Sequence, residues 1–158
     1  FGMTTGVCAD RPFGTYDNVG RARAQGLEAE GEVRLGELAF GAAYTWLDAE
    51  DRTPGSTNRG NDLARRPRQA LTLSGDWTPA QGLRVGADLR VVSESFDDAA
   101  NLVPLGGYEV LTLRGEWAAG DRFTLFGRVE NLWNERYQTA AGYATAGRGA
   151  HLGARVRW

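Results

Sequence analysis

The last nine residues of the chain alternate strictly between two kinds of side chain. Every second residue from Ala150 to the terminal Trp158 is apolar, and the residues between them are polar or glycine. Successive side chains of a β-strand point to opposite faces, so this pattern predicts a strand with one apolar and one polar face. Such a strand, ending on an aromatic residue, is typical of an outer-membrane β-barrel wall, where one face meets lipid and the other a watery lumen.

The same period of two residues recurs along nearly the whole chain. We predict seven strands, over residues 27–35, 38–46, 71–77, 83–91, 111–117, 123–130 and 150–158. One such segment would also suit a soluble β-sandwich, but seven in succession favour an all-β, antiparallel transmembrane barrel wall. The mean hydropathy of −0.41 fits this prediction, because half of each strand faces the polar lumen. No apolar run approaches the roughly 20 residues that a spanning helix needs.

The composition argues against several classes of function. The 18 basic and 20 acidic residues are mixed along the chain, so no basic patch points to nucleic acid. The single histidine, His151, has no ligand-spaced partner for a metal, and no clustered serine or aspartate beside it suggests a hydrolase. We therefore expect no enzyme activity, no catalytic residue, no metal and no cofactor.

The connections between the predicted strands alternate between short and long. Short joints fall at residues 36–37, 78–82 and 118–122, and long polar ones at 48–66, 93–107 and 134–148. Outer-membrane barrels have short periplasmic turns and longer extracellular loops. This alternation therefore predicts a chain in the bacterial outer membrane with its C-terminus in the periplasm.

Aromatic residues gather at both ends of the predicted strands. Trp77, Trp117 and Trp158 fall at the short-turn side, and a second group falls near the long loops: Tyr44, Trp46, Tyr108, Trp133 and Tyr137. Amphipathic rings favour the two interfaces between membrane and water. We therefore expect the following tryptophans to be interface residues: Trp46, Trp77, Trp117 and Trp133.

The odd number of strands bears on where the barrel closes. Counting back from a periplasmic C-terminus places residues 1–18 outside the cell, as an extracellular loop. Barrels of this type have an even number of strands. Either residues 1–16 contain an eighth strand, or the chain is the C-terminal part of a larger barrel. Glycines and a proline interrupt the first segment, which favours the larger barrel. The edges near residues 24–34 and 150–158 would then pair with other polypeptide.

Four stretches resemble motifs of the TonB-dependent outer-membrane receptors, most closely those of the cobalamin-receptor branch. Tyr16–Glu28 is similar to "Y-x-N-x-G-x-A-x-x-x-G-[VL]-E", and Leu63–Pro67 is similar to "L-x-R-R-P". Glu130–Tyr137 resembles "x-N-L-[FW]-[DN]-x-x-Y", and Gly142–Arg148 resembles "G-Y-x-x-x-G-R". Order and spacing agree with the family over residues 16–158.

The resemblance implies that residues 19–158 are the C-terminal segment of a barrel of 22 strands, with a plug domain and earlier strands upstream. It implies a receptor for energy-dependent uptake of a large scarce nutrient of the siderophore, haem or cobalamin type. The alternative is a passive porin or a small structural barrel. The implied partners are outer-membrane lipid and lipopolysaccharide, the upstream plug and strands, TonB acting through the plug, and the barrel-assembly machinery.

Two sets of site residues follow from this resemblance. Ligand contacts are expected in the long loops, at Arg59, Asn101 and Tyr143. The last strand is implied to carry the signal that the barrel-assembly machinery reads, on Leu152, Ala154, Val156 and Trp158.

Several residues could have either a ligand-binding role or an ordinary structural role. Arg65 and Arg66 could hold an anionic ligand, pair with lumen carboxylates or lie at the lipopolysaccharide rim. The row at 28, 30 and 32 consists of glutamates that could bind a cation, although carboxylates facing a watery lumen opposite arginines need no ligand. Gly147–Gly149 lacks the remaining residues of a nucleotide-binding loop, and His151 fits a polar wall position. Cys8 fits an unpaired loop thiol.

Overall fold

The computed structural model describes residues 20–158, and all regular secondary structure in this range is β-strand. Seven strands form one antiparallel sheet in the order β1-β2-β3-β4-β7-β8-β9. Their bounds are β1 Ala22–Leu35, β2 Leu38–Asp51, β3 Gln69–Ala80, β4 Leu83–Val92, β7 Tyr108–Ala119, β8 Phe123–Glu130 and β9 Gly149–Val156. The short strands β5 Ser95–Phe96 and β6 Pro104–Leu105 pair with each other. The predicted all-β antiparallel fold is confirmed, and the loop predicted at residues 1–18 lies outside the described residues.

One face of the sheet, the outer face, is apolar across all seven strands. Leu73 of β3 lies opposite Ala42 of β2 on one side and Leu89 of β4 on the other. Cross-strand partners share a face of a sheet, so the apolar rows of neighbouring strands join into one surface. On this face, the odd residues from Leu71 to Trp77 and the even ones from Ala150 to Val156 lie together, as predicted.

The outer face is left uncovered. Leu113 is 39% exposed, Trp117 50% and Leu152 86%. The buried apolar residues in the described part of the chain are few, namely Ala49, Val92 and Leu105. A soluble protein rarely exposes so large an apolar surface, whereas lipid would cover it favourably. No helix in residues 20–158 is long and apolar enough to cross a membrane.

The opposite face, the inner face, carries most of the charged side chains of the strands. Arg114 of β7 donates hydrogen bonds to Asp88 of β4 and, at 2.7 Å, to Asp76 of β3. Phe126 is an aromatic residue on this face, and the guanidinium of Arg155 lies 5.7 Å from the centroid of its ring. The sheet therefore has the two faces of a barrel wall.

The first hairpin is longer than its apolar alternation predicts. We expected β1 to begin at Leu27 and β2 to end at Trp46, but they reach Ala22 and Asp51. Beyond Leu27 and Trp46 the backbone pairing continues while the side chains on the outer face become polar. The apolar period ends where the lipid-facing surface ends, and the strands continue past it.

The polar extension of this hairpin pairs residue by residue. Gln25 lies opposite Asp48, and its side-chain amide donates to that carboxylate at 3.1 Å. Arg23 lies opposite Glu50. The outer face thus changes from apolar to charged just beyond Trp46.

The last strand is shorter than predicted. Strand β9 ends at Val156, and Arg157 donates its backbone N–H to the carbonyl of Arg122 at 2.8 Å. Trp158 follows the strand and is fully exposed. The sequence still alternates at Arg157 and Trp158. The strand ends earlier, because its partner β8 begins at Phe123, directly after the turn at residues 120–122.

The short turns lie at one end of the sheet, and the long loops lie at the other. Gly36 and Gly120 occupy short turns with φ of +62° and +74°, a region that glycine adopts without strain. Strands β1 and β9 are the edges of the sheet, and they do not pair with each other in the described part of the chain. The wall formed by residues 20–158 is therefore open at these two edges, as predicted, and the alternative of an eighth strand in residues 1–16 lies outside the described residues.

Candidate ligand-binding loops

Three long connections lie at one end of the sheet, and we number them loop 1 (residues 52–68), loop 2 (residues 93–107) and loop 3 (residues 131–148). Each contains one of the predicted ligand contacts, Arg59, Asn101 and Tyr143 in that order. Loop 2 contains the hairpin β5–β6, which the sequence did not predict because two-residue strands show no periodicity. Hydrogen bonds join the three loops into one unit.

Asn101 ties loop 2 to loop 1. Its side-chain Nδ2 donates to the carbonyl of Asp62 at 3.0 Å, and its Oδ1 accepts from the N–H of the same residue at 2.8 Å. The residue has a φ of +56°, which asparagine tolerates better than most residues. Both polar atoms of the Asn101 amide are therefore engaged with the backbone of loop 1, and its role in ligand binding stays a prediction.

Asp97 of loop 2, which was not predicted as a site residue, contacts both other loops. Its Oδ1 accepts from Arg65 Nε of loop 1 at 2.7 Å and from the N–H of Ala141 of loop 3 at 3.0 Å. The bond from Arg65, followed by that from Ala141, holds the pKa of the Asp97 carboxyl below its ordinary value. One partner of Arg65 is thus a loop carboxylate. A carboxylate between two periodic segments has no pattern that marks it as a contact.

The neighbouring Asp98 stays within its own loop. Its Oδ1 accepts from the N–H groups of Leu102 and Val103 at 3.0 and 2.8 Å. These two hydrogen bonds hold the turn at the tip of loop 2, which presents Leu102, a residue that is 79% exposed. The turn therefore displays an apolar side chain on a fixed backbone.

Arg59 and Tyr143 present their side chains to solvent. Tyr143 is 74% exposed, and its backbone N–H donates to the carbonyl of Ala140 at 3.1 Å. The exposed Arg59 is anchored by its backbone N–H, which donates to the carbonyl of Ser56 at 3.3 Å. The three loops thus expose a cation, a phenol ring and an aliphatic side chain. Side chains of these kinds can contact an anionic or amphipathic solute.

Tyr108 and Tyr137 form a stacked pair at the long-loop end, with ring centroids 4.0 Å apart and planes at 20°. Tyr108 lies opposite Val92, on the inner face. Its expected place in the aromatic group at the lipid interface is therefore wrong. Its place at the long-loop end was predicted correctly. The alternation of side chains along β7, however, directs its ring to the inner face.

The predicted interface tryptophans of β2, β3 and β7 lie on the outer face. Trp46 pairs with Leu27 near the long-loop end, and Trp77 and Trp117 lie opposite Val85 and Leu83 near the short turns. Trp133 follows β8 in loop 3 and is half exposed. Their interfacial role stays a prediction. So does the barrel-assembly signal, of which Leu152, Ala154 and Val156 lie on the outer face of β9.

The inner face forms a concavity of about 690 Å³ near the last strands. His151 contributes to its wall, with Nε2 lying 3.4 Å from Glu130 Oε2, and Arg128 also pairs with Glu130 at 3.0 Å. Within residues 20–158, no group of three His, Cys, Asp or Glu side chains could hold a metal ion. Glu130 thus has two basic neighbours on this wall.

Comparison with known proteins gives one family. A family model described as TonB dependent receptor-like, beta-barrel matches residues 2–132, a range that contains strands β1 to β8. The chain is also similar to the ferrichrome outer membrane transporter/phage receptor of Escherichia coli (strain K12), at 33% identity over 147 residues. That alignment covers 85% of this chain and 19% of the relative, so the chain spans about a fifth of that protein's length.

Two solved structures have the same arrangement of strands. The siderophore receptor PiuA from Acinetobacter baumannii superimposes with a TM-score of 0.72 at 27% identity, over 84% of this chain and 21% of that one. BauA, the ferric preacinetobactin receptor of the same organism, gives a TM-score of 0.75 at 23% identity, over 85% and 22% of the two chains. This second likeness bears on the fold alone.

Proposed function

The chain belongs to the TonB-dependent receptor-like β-barrel family, and we propose that it forms part of the wall of an outer-membrane receptor that takes up a large, scarce nutrient. The observation that carries the proposal is the apolar face, continuous over seven strands, opposite a charged face. Lipid on one side and a polar lumen on the other require this arrangement. The family match favours an uptake receptor over a passive porin.

The ligand class that we propose first is an iron–siderophore complex. Two of the similar proteins are named as a ferrichrome transporter and a siderophore receptor, which supports this choice. The motifs that resemble the cobalamin-receptor branch make cobalamin the second candidate, and haem is the third. Membership of the cobalamin branch stays a prediction.

For the ligand contacts we propose Arg59 and Tyr143, whose exposed side chains suit contact with an incoming solute. The side-chain amide of Asn101 already binds the backbone of Asp62, so the support for Asn101 as a ligand contact is weaker. A guanidinium and a phenol together can bind the carboxylate, hydroxamate or phenolate groups of an iron chelate by charge and hydrogen bonding.

The orientation and the partners belong to the same proposal. Short turns at one end and long loops at the other support a periplasmic C-terminus and extracellular loops. Lipopolysaccharide would surround the charged extension of the β1–β2 hairpin, and the barrel-assembly machinery would read β9. Upstream polypeptide would pair with the edges of β1 and β9, and an upstream plug would connect the receptor to TonB. Residues 1–18 would lie outside the cell.

An uptake assay on the full-length receptor tests the function. We expect cells that express it to accumulate radiolabelled iron supplied as a siderophore complex, and to lose this accumulation, but not surface binding, when TonB is deleted. Labelled cyanocobalamin, supplied in parallel, tests the second candidate. Equal accumulation with and without TonB would support the passive porin and exclude the receptor.

The contact residues are tested in the same cells. Tyr143→Ala should weaken ligand binding, whereas Thr139→Ala, also exposed in loop 3, should leave it unchanged. Equal binding by both variants would remove Tyr143 from the site.

A further inference from the structure

Asp97 occupies the point at which the three long loops meet. Its side chain is only 19% exposed, although it belongs to a loop, because Arg65 and Ala141 approach it from the other two loops. One carboxylate oxygen accepts both bonds, so the two neighbouring loops converge on a single atom. Hydrogen bonds to an ionised group are among the stronger ones in proteins.

Loops 1 and 2 are joined at further points. The N–H of Arg65 donates to the carbonyl of Phe96 at 2.6 Å, and Asn61 Nδ2 donates to the carbonyl of Ala99 at 3.1 Å. Together with the two bonds between Asn101 and Asp62, these contacts hold the two loops as one body. Loop 3 meets this body at Asp97, through the N–H of Ala141.

From this geometry we infer that Asp97 is a positioning residue, which fixes loop 3 against loops 1 and 2 and thereby sets the affinity of the ligand-binding surface. The inference rests on the proposed function for the ligand, but the positioning itself needs no ligand. Arg59 lies six residues before Arg65, and Tyr143 lies two residues after Ala141. Asp97 therefore anchors the segments that carry both proposed contacts. A surface preformed in this way loses less conformational entropy on binding than three independent loops would.

A distance measurement tests the positioning directly. Spin labels would be placed at Thr57 of loop 1 and Thr139 of loop 3, both exposed, in full-length receptor whose native cysteines, Cys8 included, are replaced by serine. We expect a narrow distribution of distances between the labels in the parent protein and a broad one in Asp97→Ala. Asp98→Ala is the matched control, because Asp98 caps only its own loop and should leave the distribution narrow. A narrow distribution in Asp97→Ala would overturn the inference, and so would equal broadening by both variants.

A conservative variant and a binding measurement complete the test. Asp97→Asn keeps an oxygen acceptor for Arg65 and Ala141 but loses the negative charge, so its distribution should be broader than in the parent protein and narrower than in Asp97→Ala. With ferrichrome as the probe, Asp97→Ala should lower affinity about tenfold at an unchanged level in the outer membrane, whereas Thr139→Ala should leave it unchanged. If the parent receptor does not bind ferrichrome, ferrichrome is excluded as its ligand, and the distance measurement still decides the role of Asp97.

Discussion

Gly86 of β4 lies beneath the guanidinium of Arg114 where that side chain reaches across the strand. A Cβ built on Gly86 would come within 2.8 Å of both Arg114 Cζ and Asp76 Oδ1. Arg114 belongs to β7 and Asp76 to β3, so the ion pair passes directly over β4. The absence of a side chain at Gly86 is what lets two strands that are not neighbours be joined on the inner face.

Replacing Gly86 by alanine should therefore break this bridge. The methyl group would displace Arg114 from Asp76, and we expect the free energy of unfolding in lipid vesicles to fall by about 1–3 kcal/mol. Gly115→Ala is the control, because the nearest atom to its added Cβ is a carbonyl oxygen at 3.9 Å. Urea titration followed by tryptophan fluorescence measures both. Equal losses in the two variants would show that the bridge over β4 contributes nothing.

Leu113 offers a test of which face meets lipid. It lies on the outer face between Ala87 and Val129, and Leu113→Arg should destabilise the folded barrel by about 2–4 kcal/mol if it lies near the bilayer midplane. Thr112→Arg is one residue away, opposite Asp88 on the inner face, and should be far milder. Unfolding titrations in lipid measure the difference. Similar losses would reject the assignment of the faces.

Deleting Trp158 should affect biogenesis more than ligand binding. The residue lies beyond the last ladder pair of β9 and is fully exposed, so its removal costs the sheet no hydrogen bond. We expect a lower level of receptor in the outer membrane and unchanged affinity per surviving molecule, measured by immunoblot and by binding to intact cells. Trp117→Ala, on the outer face within β7, controls for the loss of an interfacial ring. An unchanged level with lost binding would reverse the assignment.

The contact at Asp97 should depend on pH in a defined direction. Its pKa is lowered by Arg65 first and by the Ala141 N–H second, so the folded loops favour the ionised carboxylate. The stability that this adds is fully present above the ordinary aspartate value of about 3.9, and it is lost as pH falls through the lower folded value. The distance distribution between labels at 57 and 139 should therefore stay narrow down to about pH 4 and broaden below it. Asp97→Asn should remove this step, and a step of the same size in that variant would assign it to another carboxylate.

Much of the wall could be predicted because lipid and lumen impose a period of two on each strand between them. The short joint at Gly36 and the cores of β3 and β4 follow directly from this period. The extension of β1 to Ala22 could not be predicted in the same way. Above Trp46 both faces meet polar surroundings, so the backbone ladder continues without a hydrophobic signal.

The site was harder to predict than the wall, because its contacts join residues that are distant in sequence. Arg65, Asp97 and Ala141 come from three loops, and only the folded chain brings them together. The loops themselves were recognisable by length and polarity, so Arg59 and Tyr143 could be proposed. Asn101 was found in the expected loop, where its conformation and its bonds to Asp62 give it a structural role.

The first and last hairpins differ in the length over which their backbones are paired. Strands β1 and β2 form 14 residue pairs, whereas β8 and β9 form eight. Loop 3 takes the place of the missing ladder, and its backbone is held by Asn131 and by Asp97 instead of by a neighbouring strand. The mouth of the wall is therefore made of paired strand on the flank of β1 and of side-chain-tied loop on the flank of β9.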